Sequence, residues 1–151
     1  MLDPINKAMQ EELNRLLGEL EKLFKADFLN IMGPIGSGIE PILLDIVEEL
    51  AEDDEKRDCL LVMITTNGGD ALTVERIVNI FRQHYEEVNF IVPDYAYSAG
   101  TILCMSGDNI FMDYYSALGP IDPQIQNKEG RWVPALGYLD KIQELLDKAT
   151  R

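Results

Sequence analysis

The sequence predicts an α/β fold, a mainly parallel sheet with crossover helices preceded by an N-terminal helix, within 151 residues. Three observations carry that expectation. Apolar runs of strand length alternate with segments whose apolar residues recur every three or four positions, the pattern of strands joined by helices. The run at 59–65, CLLVMIT, is apolar almost throughout, as a strand covered on both faces requires. Glycine-bearing turns follow the apolar runs at 33–38 and 66–70, and a parallel sheet gathers its loops at the carboxyl ends of its strands.

At the N-terminus, Asp3 and Pro4 form a cap and first-turn pair, and Ile5, Met9, Leu13, Leu16, Leu17, Leu20 and Phe24 make one apolar stripe. Residues 1–26 are therefore expected as a helical arm and residues 27–151 as the main domain. Residues 27–32 read as a strand ended by GPIGSG at 33–38. Ser37 and Glu40 have capping-box spacing, ahead of a second helix with Ile42, Leu43, Ile46, Val47 and Leu50 inward. After the strand at 59–65, a helix runs from Ala71 to about Tyr85, with Leu72, Ile77, Val78 and Phe81 on its apolar side. A strand at 88–92 stops at Pro93, Ser98 opens another helix in its first turn, and 109–113 is a further strand. The stretch 116–123 reads as turn and 125–133 as a hairpin about 127–130. A last helix is expected over 136–149, with Leu139, Ile142, Leu145 and Leu146 inward.

Thirteen basic against 27 acidic residues leave a net charge of −14, which excludes a nucleic-acid backbone as the main partner and disfavours acidic cofactors. No cofactor and no metal ion is expected. The acidic run EELAEDDE at 48–55 reads as a solvated helix end. Cys59 and Cys104 are isolated within apolar runs and lack CxxC spacing, which suits free thiols of a reducing compartment and predicts a cytoplasmic protein. No apolar stretch approaches the roughly 20 residues of a membrane span, and Asp3 and Lys7 stand where a signal core would be.

Two segments bear chemistry: TNGGD at 66–70 and YAYSAGT at 95–101. Each follows a strand-like run and opens a helical pattern, so both sit at carboxyl ends of strands. A serine hydroxyl needs a base and donors for the developing oxyanion. Gly68 and Gly69 have no side chain to keep a carbonyl away from their N–H groups, and the Ala99 N–H lies at the positively polarised start of a helix. These are the candidate donors, with Ser98 as candidate nucleophile. His84 is a poor base, since a helix of about 13 residues at 1.5 Å each sets it roughly 20 Å from Gly69. A lysine serves if burial lowers its pKa. Lys128 belongs to the expected hairpin tip and Lys148 to the chain end, whereas Lys141, 43 positions after Ser98, stands beside the apolar stripe of the last helix and is the preferred base. A solvated helix lysine is its ordinary alternative. Ser116 reads as a turn hydroxyl, Ser37 as a cap, and Tyr95 and Tyr97 as packing with a groove-lining role as the alternative.

The combination of TNGGD, YAYSAGT and SALGPIDPQ at 116–124 resembles the serine dehydrogenase proteinase family, relatives of signal peptide peptidase A and of the Clp protease proteolytic subunit within the ClpP/crotonase fold. The resemblance covers roughly residues 28–149. It implies a serine endopeptidase working through an acyl-enzyme on peptide or protein substrates. Ser98 is then the nucleophile, the amides of Gly68 or Gly69 and of Ala99 form the oxyanion hole, and Lys141 is the base of a Ser-Lys dyad. Clp-type relatives place a histidine where this chain has Pro123, so the lysine variant of the membrane peptidases fits better. The resemblance further implies a homo-oligomer, trimer or hexamer, with the N-terminal helix as the assembly arm. A membrane-protein or ATPase partner is not indicated. Family chains tend to be longer, which implies a shortened C-terminal region here. Two other classes share the cradle: a catalytically inactive assembly or binding module, and a crotonase-like enzyme of acyl thioesters, against which the acidic charge and a serine in place of a catalytic Glu both count.

Overall fold

The computed structural model describes residues 3–52, 56–122 and 124–134. In chain order these form α1 (Pro4–Phe24), β1 (Asp27–Met32), α2 (Ile39–Ala51), β2 (Cys59–Thr65), α3 (Ala71–His84), β3 (Glu87–Val92), β4 (Tyr95–Ala96), α4 (Ala99–Met105), β5 (Asn109–Met112), β6 (Ala117–Leu118), β7 (Gln124–Gln126) and β8 (Trp132–Pro134). The chain divides into two units, Met1–Gly119 and Pro120–Arg151. The expected last helix, with Lys141 and Lys148, lies outside the described residues.

In the first unit β1, β2, β3 and β5 make a parallel sheet in that spatial order, with Leu60 opposite Asp27 and Phe90 opposite both Val62 and Ile110. Because each strand is laid beside the last in one direction, right-handed crossovers carry α2, α3 and α4 to the same face. The period of two then sorts the side chains. Leu29, Ile31, Leu60, Val62, Ile64, Val88, Phe90 and Val92 meet Leu43 and Val47 of α2, Val74, Ile77 and Phe81 of α3, and Leu103 of α4 in the main core. Phe28 and Leu61 point the other way, where Leu17, Leu20 and Phe24 of α1 cover them. Cys104 is buried and its thiol is pushed up to about 12 by desolvation, while the half-buried Cys59 is raised by the same cause; both are free.

Several local expectations are corrected. The α2 cap is Gly38 rather than Ser37: Gly38 adopts φ 99° and its N–H donates to the Glu40 carboxylate at 2.8 Å, so the acid reaches back as in the expected box, while the hydroxyl half of that box is absent. Ile42 and Ile46 of α2 and Leu72 of α3 are exposed, because only a narrow stripe of each helix reaches a sheet laid below it. For α1, Ile5, Met9, Leu13 and Leu16 are likewise exposed, since the helix rests on the sheet only through its last two turns. Within the stretch expected as turn, Ala117–Leu118 pairs in parallel with Tyr95–Ala96, two-residue strands too short to leave a periodic trace.

At the amino ends of the strands, the buried Asp27 accepts hydrogen bonds from Tyr85 Oη at 2.9 Å and Arg57 Nη1 at 3.1 Å, tying β1 to the segments that open β2 and β3. Burial, then the Asp27 carboxylate, raises the pKa of the Tyr85 phenol. In the second unit, β7 and β8 form an antiparallel hairpin whose turn holds Asn127 N–H on the Arg131 carbonyl at 2.9 Å, with Gly130 at φ 76° and Lys128 at the tip. No described helix is long and apolar enough to cross a membrane.

Candidate active site

The loops leaving β1, β2 and β3 meet at the carboxyl end of the sheet, where they pair a second time. Ile35 bridges Gly69, and Thr66 bridges Ala96. The Thr66 N–H donates to the Tyr95 carbonyl at 3.1 Å, and the Tyr97 N–H donates to the Thr66 carbonyl at 3.0 Å. This short ladder sets the glycine pair beside the serine.

Ser98 is the residue before α4 rather than part of its first turn, and its backbone stands at φ 51°, ψ −118°. An L-residue reaches that region only at a cost of about 1–3 kcal/mol, and such conformations persist where surrounding bonds over-determine them. Here the bonds are plain. The Gly100 N–H donates to the Tyr97 carbonyl at 2.9 Å and the Ile102 N–H to the Ser98 carbonyl at 3.2 Å. Thr101 Oγ1 donates to the Ala96 carbonyl at 2.7 Å and accepts from the Gly119 N–H at 3.1 Å. The result is a sharp strand-to-helix turn with a half-buried serine at its apex. Among the described residues the Ser98 hydroxyl makes no hydrogen bond.

Gly68 adopts φ 97°, and a Cβ there would lie 2.6 Å from the Tyr97 carbonyl oxygen and 2.8 Å from Ser98 Cβ. Its N–H is engaged, donating to Thr66 Oγ1 at 2.9 Å. At Gly69 an added Cβ would fall on the Ile35 carbonyl. That close approach is held by Ile35 N–H on the Gly68 carbonyl at 2.9 Å and Asp70 N–H on the Ile35 carbonyl at 2.8 Å. Among the described residues, neither the Gly69 N–H nor the Ala99 N–H has an acceptor. Asp70 then caps α3, accepting from Thr73 N at 2.9 Å and Thr73 Oγ1 at 2.8 Å. The Thr73 hydroxyl, followed by its N–H, holds the Asp70 carboxyl below its ordinary range.

The structure therefore brings Ser98, Gly68, Gly69 and Ala99 together, and Lys141 lies outside the described residues. His84 ends α3, at the opposite end of that helix from Asp70. The Ser116 hydroxyl closes a turn by accepting from Asp113 N at 3.0 Å. Tyr95 and Tyr97 stack at 4.9 Å, and Tyr97 also packs on Gly119. Thr66, Ile35 and Thr101 belong to the site and lie outside the residues the sequence marks as candidates. For Thr66 a signal existed, since a threonine two residues before a glycine has the spacing of a hydroxyl turn. Ile35 and Thr101 act through tertiary pairing and left none. No group of three or more His, Cys, Asp or Glu among the described residues could hold a metal ion.

Residues 41–144 match the family described as ClpP-like SDH-type serine proteinase. The chain is similar to two uncharacterized proteins of Methanocaldococcus jannaschii, MJ0137 and MJ1495, at 41% and 39% identity over 64 residues, which is 42% of this chain and 22% of each of theirs. Among solved structures it is similar to a serine-to-alanine variant of the 1510-N membrane-bound stomatin-specific protease, at 20% identity and a TM-score of 0.62 over 76% of this chain and 56% of that one. A lysine-to-alanine variant of the same protease, in complex with a substrate peptide, aligns at 23% identity and a TM-score of 0.61 over 72% of this chain and 50% of that one. A further structure of the 1510-N protease, from Pyrococcus horikoshii, aligns at 24% identity and a TM-score of 0.52 over 61% of this chain and 47% of that one. This chain thus spans about a fifth of the curated relatives and about half of the solved ones.

Proposed function

This chain belongs to the family of ClpP-like SDH-type serine proteinases, and from that premise we propose that it cleaves peptide bonds through an acyl-enzyme formed on Ser98. The observation that carries the reading is the strained apex at Ser98 beside two backbone N–H groups, of Gly69 and Ala99, that have no acceptor among the described residues. Ser98 Oγ attacks the scissile carbonyl carbon while a neutral amine takes its proton. The oxygen that gains negative charge lies between the Gly69 and Ala99 N–H groups. Collapse of the tetrahedral species expels the peptide amine, which takes the proton back, and water then repeats the sequence on the ester. Removing one such donor slows acyl transfer by about 10²–10³-fold, so the two amides matter nearly as much as the nucleophile.

Lys141 is the amine in this reading, from its place in the sequence after Ser98. The substrate-bound 1510-N protease is a lysine-to-alanine variant, a property of that protein that accords with a lysine base. Gly68 serves by lacking a side chain rather than by donating, because its N–H is held by Thr66. The partner is a peptide or protein substrate, and self-association is read by light scattering.

Intact-mass analysis after incubation with a fluorophosphonate tests the reading between about pH 6 and 10, a span that approaches the ordinary lysine pKa from below. A single adduct on the wild-type chain, absent from Ser98→Ala and growing with pH, is expected. An adduct that persists in Ser98→Ala overturns the nucleophile, and unchanged labelling of Lys141→Ala overturns the base.

A further inference from the structure

Thr66 is buried at the point where the two halves of the site cross. Its backbone grips the serine turn on both sides, donating to Tyr95 O at 3.1 Å and accepting from Tyr97 N at 3.0 Å. Its methyl lies against Gly100 in the first turn of α4, so tightly that a Cβ on Gly100 would collide with Cγ2. Its hydroxyl oxygen accepts from Gly68 N at 2.9 Å. One side chain therefore touches the glycine pair with its polar arm and the helix behind the serine with its apolar arm.

The peptide planes make this contact consequential. Gly68 and Gly69 are adjacent, and a trans peptide points its C=O and its N–H in opposite directions. The Gly68 carbonyl is bound by Ile35 N–H at 2.9 Å, so the Gly69 N–H faces away from the 33–38 loop. The plane before it is set by Thr66, whose hydroxyl holds the Gly68 N–H. Gly68 is buried, and a buried N–H deprived of its acceptor costs free energy until the backbone turns to find another. With φ 97° at Gly68 and 153° at Gly69, these two residues are the part of the loop freest to turn.

We propose that Thr66 is a positioning residue for the oxyanion hole: its hydroxyl retains the Gly68 N–H and thereby leaves the Gly69 N–H as the amide presented to the reacting carbonyl. The assignment rests on the serine-peptidase reading above. It makes Thr66 act through Gly68 and Gly69 and not on the substrate itself. Valine at this position keeps the methyl that packs on Gly100, but its second methyl cannot accept a hydrogen bond and needs more room than 2.9 Å from a nitrogen. Serine keeps the acceptor and loses only the methyl.

The test compares wild type, Thr66→Val and Thr66→Ser of the full 151-residue chain by the saturation kinetics of fluorophosphonate labelling, with Ser98→Ala as the blank and thermal melting alongside. The phosphonyl oxygen occupies the place of the oxyanion, so the inactivation rate constant reads the hole while the half-saturating concentration reads binding. In Thr66→Val the rate constant is expected to fall by about 10²-fold with half-saturation unchanged, and in Thr66→Ser to return to within about threefold of wild type. A role in packing alone moves the serine variant more than the valine one, and that order overturns the assignment. Should Thr66→Val fail to melt cooperatively, Thr66→Ala takes its place: alanine and serine both lack the methyl, so slowing of the alanine variant alone is expected, and equal slowing of the two overturns the assignment. Equal rates in wild type and the variant lacking the acceptor overturn Thr66 alone. No Ser98 labelling in the wild-type chain overturns the peptidase reading, and this assignment with it.

Discussion

Exchanging Ser98 for glycine and for alanine separates the strain at the turn from the chemistry of the hydroxyl. Both variants lose Oγ, so its loss cancels in their comparison and the backbone remains. At ordinary negative φ, glycine is less stable than alanine by about 0.5–1 kcal/mol, because it gives up more freedom on folding. Ser98 stands at φ 51°, ψ −118°, where a Cβ carries a penalty of about 1–3 kcal/mol that alanine retains and glycine sheds. Setting a penalty near 2 kcal/mol against an entropic term near 0.7 kcal/mol leaves Ser98→Gly more stable than Ser98→Ala by about 1 kcal/mol. For a chain of about 150 residues that difference is about 2–4 °C in Tm. The ladder from Thr66 to Tyr95 and Tyr97 and the Thr101 bond to Ala96 remain in both variants and keep the turn in place. Thermal and urea unfolding of the pair measure the difference. An alanine variant at or above the glycine variant refutes the strained turn, and with it the argument that the site holds its serine against local preference.

Gly69→Ala is expected to destabilise the chain by about 1–3 kcal/mol and to suppress Ser98 labelling, because its Cβ falls on the Ile35 carbonyl and pries the glycine pair from the 33–38 loop. Gly36→Ala, where a Cβ meets nothing within 4 Å, is the control, and comparable loss in the two variants by circular dichroism refutes the contact. Asp108 carries a second expectation, in acid. Arg82, bonded to it at 2.7 Å, and then the Val88 N–H at 2.8 Å hold its carboxyl below the ordinary value near 3.9. A carboxyl with a depressed folded pKa stabilises above its unfolded value and ceases to as pH falls through its folded one. The half-exposed pair is screened, so Asp108→Asn is expected to be less stable by only about 0.5–1 kcal/mol at pH 7, with the gap to wild type closing below about pH 4. A gap that stays constant down to about pH 2 in urea titrations refutes the coupling.

Much of this molecule is local in origin and therefore legible along the chain. Strand 59–65 announces itself because a strand covered on both faces needs apolar residues at every position, and β2 runs from Cys59 to Thr65 as that logic requires. Strand–helix alternation implies the parallel sheet through the handedness of crossovers, and TNGGD and YAYSAGT fall at strand ends because loops in such a sheet can fall nowhere else. Tertiary structure alone decided how the apolar stripes divide. Leu17, Leu20 and Phe24 of α1 reach the sheet while Ile5, Met9 and Leu13 do not, a distinction set by where the helix crosses and invisible to its periodicity. The same holds at the site. Which glycine amide stays without an acceptor depends on Thr66 and Ile35, residues 2 and 33 positions from Gly68, and the turn at Ser98 is held by bonds of Thr66 to Tyr95 and Tyr97 and of Thr101 to Ala96. A sequence specifies which residues have backbone freedom, but the direction in which an N–H points is fixed only when every neighbouring carbonyl and hydroxyl has taken its place.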